Sequence, residues 1–135
     1  MSETYGIIRL AKTKSTAVHA AQYHNDRLPG EHSNPDIKPH MHELNCEFLA
    51  HGKYEDEIAE RTKDLKRKVR KDAVVLVDGM MTASPEWFQN HSYDEAMAFF
   101  RDGLDFIQST FGKENVFYFT VHRDEAAYRA HFGFT

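Results

Sequence analysis

The residues best able to do chemistry gather near the end of the chain, in FYFTVHRDEAAYRAHFGFT, residues 117–135. Two apolar runs, Val116–Val121 and Ala130–Phe134, flank a polar connection and have strand character. Side chains alternate faces along a strand. Tyr118, Thr120 and His122 therefore share one face of the first run, and Arg129, His131 and Gly133 share one face of the second. If the two strands pair, His122 and His131 meet, with Asp124 and Glu125 beside them. Imidazoles and a carboxylate on adjacent strands suit a divalent cation of the Mn, Zn and Mg range. By spacing alone, such residues more often form a solvated surface or a satisfied core than a metal site.

Three other places carry candidate chemistry. Ala17, Ala20, Ala21 and His24 recur at helical spacing, so they form a small-residue face that presents His24 to whatever the helix packs on. A core histidine is the plainer reading of that spacing. Pro39-His40-Met41-His42 is a His-x-His at the entrance of the next strand, which fits either a metal pair or a surface coincidence. Between Arg61 and Lys71 stand seven basic residues against one acid. Arg67, Lys68, Arg70 and Lys71 lead that segment. Such a run is a solvated helix end complementing the dipole, or a local positive field for a phosphate backbone.

The elements that must position these groups follow from periodicity. Tyr5–Ala11 alternates as a strand, and Lys12–Ser15 breaks it. Ser15 or Thr16 caps a helix through about Asp26. Residues 28–39 are rich in Pro, Gly, Asn and Ser and read as a loop. Leu44–Leu49 follows as a strand. Tyr54, Ile58, Leu65 and Val69 predict one long helix over 54–71, acidic at its start and basic at its end. Ala73–Ala83 is a strand with Asp78-Gly79 as a bulge. Ser84-Pro85 opens a helical turn. Ser92-Tyr93-Asp94-Glu95 is a capping box for a helix that buries Ala96, Phe99, Phe100, Leu104, Ile107 and Phe111 and stops at Gly112. The order β, α, β, α, β, α, β, β predicts an α+β fold, a sheet with helices packed on it.

At 135 residues, with 41% hydrophobic and 13% aromatic side chains, the chain has enough apolar material for one domain with a real core. No run approaches the length of a membrane span, and there is no signal-peptide pattern. Cys46 is the only cysteine, which excludes a disulfide framework and fits a reducing cytoplasm. The net charge of −4 makes no case for nucleic-acid binding by itself.

Taken in order, YGIIRLAKTKS, YHNDR, HSNPDIKP, RKDAVVLVDGMMTASPEWF and VHRDEAAYRAHFGF resemble the N-terminal part of the Mob/Pre plasmid mobilisation and recombination proteins, relaxases of the HUH endonuclease type. The final block stands against a family pattern of His-x-Asp-Glu-x-x-Pro-His-x-His. Tyr128 and Arg129 occupy the places of its Pro and of the first His of the closing pair.

The resemblance implies a mostly antiparallel sheet with the histidine strands at its centre. It implies a single relaxase-like domain over 1–135 that ends before the family's domain does. The implied activity is nicking of one strand of plasmid DNA at an origin of transfer, assisted by Mn²⁺ or Mg²⁺ on His122 and His131. His24 is then the nucleophile, in preference to the adjacent Tyr23, and forms a covalent 5′-phosphoryl-histidine. Asp124 or Glu125 is its acid–base partner, and Arg27, Arg129 and the Arg67–Lys71 cations are DNA contacts. Arg129 leaves two expectations open. One is a DNA-binding module that has lost nicking; the other is an arginine pairing directly with the phosphate.

Overall fold

The computed structural model describes residues 5–26, 45–123 and 127–135. Five strands form one sheet in the order β1-β3-β5-β4-β2: β1 (Gly6–Lys14), β2 (Cys46–Leu49), β3 (Val74–Ala83), β4 (Val116–His122) and β5 (Arg129–Phe134). Every neighbouring pair is antiparallel, as the resemblance implies. The two histidine strands, β4 and β5, lie inside the sheet. A sheet centre buried on both faces needs near-continuous apolar side chains, and all of β4 is buried.

One face is closed by α3 (Pro85–Gln89) and α4 (Tyr93–Phe111). Pro85 stands in the first turn of α3. Ser92 and Glu95 exchange the two bonds of the capping box, and Gly112 ends α4 at φ 97°, a left-handed backbone that suits glycine. Ala96, Met97, Phe100 and Ile107 of α4 pack on Met81, Phe119, Val121, Ala130 and Phe132, the main core. The opposite face carries α1 (Val18–Asn25) and α2 (Tyr54–Thr62). There Val18, Tyr54 and Ile58 close a smaller core with Leu76, Phe117 and Tyr118.

Four expectations change. β1 runs on through the polar residues to Lys14 because its partner β3 is longer, pairing Thr13 with Leu76 and Lys14 with Val74. The long helix over 54–71 stops at Thr62. Only Tyr54 and Ile58 of its stripe are buried, whereas Leu65 is 58% exposed; without a surface to bury against, a run of like charges has little to hold it helical. Asp78-Gly79 is not a bulge, since β3 keeps unbroken register there with both neighbours. Gly79 serves packing instead: a Cβ would lie 2.2 Å from the Phe132 ring. In α1 the buried residues are Val18 and Asn25, while Ala17 and Ala20 are exposed, so the helix meets the sheet along a face rotated from the alanine stripe. No helix of the described residues is long and apolar enough to cross a membrane.

Candidate active site

Antiparallel partners point to the same side of a sheet. The register pairs Tyr118 with Gly133, Thr120 with His131 and His122 with Arg129. It also pairs Asp78 with Gly133, Met80 with His131 and Thr82 with Arg129. These residues form one polar stripe on the side that carries α1. His24, in the last turn of α1, comes down onto it. The ring centroids of His24 lie 6.3 Å from His122 and 5.5 Å from His131, and those of His122 and His131 lie 4.8 Å apart. Three imidazoles from three elements thus converge, with His122 fully buried and the other two half-buried.

The last turn of α1 is tied down on both sides. Nε2–H of His122 donates to the main-chain carbonyl of Asn25, one of the helix-end carbonyls that lack an intrahelical donor. Asn25 is 2% exposed, and its Nδ2 donates to Asp78 Oδ1 at 3.3 Å. The Tyr118 hydroxyl donates to the same oxygen. Burial raises the Asp78 carboxyl above its ordinary range, against the lowering effect of those two bonds. Burial, with Asp78 close by, raises the Tyr118 hydroxyl well above its own. Tyr118 stacks on Tyr54 at 4.0 Å and 10°. It can lie across β5 because Gly133 has no side chain; a Cβ there would be 2.2 Å from the ring.

Beside this network, His51 sits between two carboxylates, with Nε2 3.3 Å from Asp26 and 3.2 Å from Glu47. Its Nδ1–H donates to the Gly52 carbonyl at 2.8 Å. Burial acts to lower its basicity. The bond and charge of Asp26, the Gly52 carbonyl and the charge of Glu47 outweigh burial and push it up to about 9. The ligand atoms of the three side chains lie within 4.8 Å of one another. The imidazolium that this shift favours at neutral pH offsets one of the two acidic charges, and the cluster is an ion triad that fastens the end of α1 to β2. Gln22 completes the fastening, donating to Asp26 Oδ2 and to Gly52 O at 3.0 Å each and accepting from Tyr54 N at 2.8 Å.

Of the residues expected from sequence, His24, His122, His131 and Arg129 come together. Arg67, Lys68, Arg70 and Lys71 are exposed and do not join them. They precede the start of β3, and Val74 stands six residues from Met80, about 20 Å along a strand. Glu125, Asp124, Arg27 and the Pro39–His42 tetrapeptide lie outside the described residues. The sequence reading missed Asn25, Asp26, Glu47, His51, Asp78 and Tyr118. One usable signal was available: an aspartate at position 78 in an otherwise apolar strand has to find donors.

The family model of the Mob/Pre plasmid recombination enzymes matches residues 2–135. The chain belongs to that family. It is 36% identical over 137 residues to the plasmid recombination enzyme type 1 of Staphylococcus aureus, covering 97% of this chain and 34% of that protein. To the plasmid recombination enzyme of Bacillus thuringiensis it is 37% identical over 132 residues, covering 96% of this chain and 30% of the other. The chain therefore spans about a third of the length of these Mob/Pre relatives. Among solved structures it is similar to the MobM relaxase domain bound to plasmid pMV158 oriT DNA, Mn-bound. The TM-score is 0.89 and the identity 29%, over 96% of this chain and 69% of that one. The α+β antiparallel fold expected from the sequence is the fold of that Mob/Pre relaxase domain.

Proposed function

We propose that this chain is a relaxase domain that binds plasmid origin DNA and nicks one strand through a covalent histidine intermediate. The convergence of His24 on His122 and His131 carries the reading, because it sets a nucleophile beside two candidate cation ligands. The imidazole nitrogen of His24 attacks the scissile phosphorus in line. A P–N bond forms, the P–O3′ bond breaks, and the 3′ oxygen leaves with a proton while the 5′ phosphate stays on the protein. The attacking nitrogen must be unprotonated and the other ring nitrogen held by an acceptor; Asp124 or Glu125 is assigned that part. Arg27 and Arg129 are assigned to phosphates, and the Arg67–Lys71 cations to the flanking backbone.

Two imidazoles whose centroids are 4.8 Å apart are, when unprotonated, a donor set suited to Mn²⁺, so His122 and His131 fit a divalent cation. When bound, such a cation polarises the phosphate and offsets charge growing on its oxygens. Arg129 opposes it, because it is the cross-strand partner of His122 and a guanidinium has no lone pair to offer. That observation favours a second reading, a DNA-binding module with nicking weakened or lost. Incubation with origin DNA and Mn²⁺ or Mg²⁺ separates the two. The first reading predicts a covalent adduct that His24→Ala abolishes while DNA binding persists. An adduct undiminished in His24→Ala transfers the role to Tyr23. Binding without any adduct selects the second reading.

A further inference from the structure

A carboxylate inside a sheet is costly unless donors compensate it. At Asp78 the strand β3 keeps regular register with both neighbours, so the backbone makes no demand for an aspartate there. What Asp78 does hold is Asn25, the residue after His24. The anchor is rigid, because the second donor on the same oxygen is Tyr118, stacked on Tyr54 and seated over Gly133. Asn25 in turn directs its carbonyl to His122. A carbonyl oxygen carries no proton, so the facing nitrogen must supply it. In neutral His122 the proton is then on Nε2 and the lone pair on Nδ1.

We propose that Asp78 is a positioning residue that acts through Asn25: by holding the Asn25 side chain it sets the Asn25 carbonyl against Nε2 of His122, fixing that ring's tautomer and the place of His24 above it. This rests on the reading that His24 and His122 serve one site. Its consequence is atomic. Nε2 of His122 is engaged by the Asn25 carbonyl, and Asn25 registers the helix that carries His24 against the histidine strand.

Protein labelled with ¹⁵N at histidine tests this without DNA or metal, by proton–nitrogen correlation above the imidazole titration range. The expected result for the unaltered protein is a His122 proton on Nε2 that exchanges slowly with solvent. Asp78→Ala and Asn25→Ala should each speed that exchange by about tenfold or more, the worth of one hydrogen bond. Asp78→Asn, whose amide oxygen still accepts from both donors, should retain protection. A proton on Nδ1 in the unaltered protein overturns the proposal. So does unchanged protection in either alanine variant with its amide spectrum otherwise intact, or loss of protection in Asp78→Asn. Because no nicking is read, the outcome is separate from that of the relaxase reading. A protein that forms no DNA adduct can still show the protected Nε2–H, and one that forms it can still fail here.

Discussion

Replacing Arg129 by histidine should markedly strengthen the affinity of the site for Mn²⁺. Arg129 is the direct partner of His122 across the β4–β5 ladder, and antiparallel partners have Cβ atoms about 5 Å apart. A guanidinium there falls within about 6 Å of a cation held by His122 and His131. Two positive charges against one at that distance repel by about 1.4 kcal/mol at the dielectric of water and by about 5 kcal/mol at the effective value near a protein surface. The lower figure is the conservative bound. Arg129→His removes that repulsion and adds a nitrogen donor to the same stripe. The dissociation constant for Mn²⁺ should tighten by about tenfold from the repulsion alone, and further from the added ligand. Calorimetric titration of Mn²⁺ into both proteins reads the change. The doubly substituted His40→Ala, His42→Ala protein is the control, because a cation held at Pro39–His42 is lost there and ignores Arg129→His. Equal affinity before and after Arg129→His would refute the assignment of His122 and His131 as the cation site.

Other expectations follow from the same geometry. The raised value of His51, from 6.5 to about 9, means that its contribution to stability is complete below pH 6.5 and is lost as pH rises through 9. Urea melts at the two ends of that window should differ by on the order of 2 kcal/mol after allowance for screening at half-exposed Glu47, and His51→Gln should remove the difference. Gly133→Ala should destabilise the fold by about 1–3 kcal/mol in thermal melts, since the Tyr118 ring it strikes is held by Tyr54 on its other side; a neutral result would deny that Tyr118 is fixed. Changing Arg67, Lys68, Arg70 and Lys71 to Ala should reduce the salt dependence of DNA binding by about one unit of log–log slope for each phosphate no longer neutralised, and an unchanged slope returns the segment to a solvated surface.

Most of the framework was legible in the sequence because its signals are local. Alternation in Val116–Val121 and Ala130–Phe134 set the faces of β4 and β5, and Ser92 with Glu95 marked the start of α4. The errors have physical causes of two kinds. Charge and apolar spacing over 54–71 suit a helix, yet helices of this length depend on tertiary burial, and past Thr62 the stripe finds no partner. The reading of Asp78-Gly79 as a bulge took each residue for a local backbone signal. Both are long-range: Gly79 makes room for Phe132, and Asp78 answers Tyr118 and Asn25. The site divides in the same way. His122 and His131 came from strand alternation and His24 from helical spacing, while its role as nucleophile came with the resemblance. The ion triad of Asp26, Glu47 and His51 joins three segments through side chains whose meeting no spacing rule encodes.

The end of α1 thus matters more to the site than its length suggests. An eight-residue helix is marginal by itself, and this one has no side-chain cap at its start and buries only Val18 and Asn25. Its final turn nevertheless accepts bonds from the N-terminus of α2 and from β4, donates one to β3, and is joined at its cap by an ion pair with His51. On the proposed reading, in which His24 attacks the scissile phosphate, a frayed helix end would sample many distances from it, and a misplacement of about 1 Å can cost a hundredfold in rate. The polar clamps hold His24 where apolar packing is sparse.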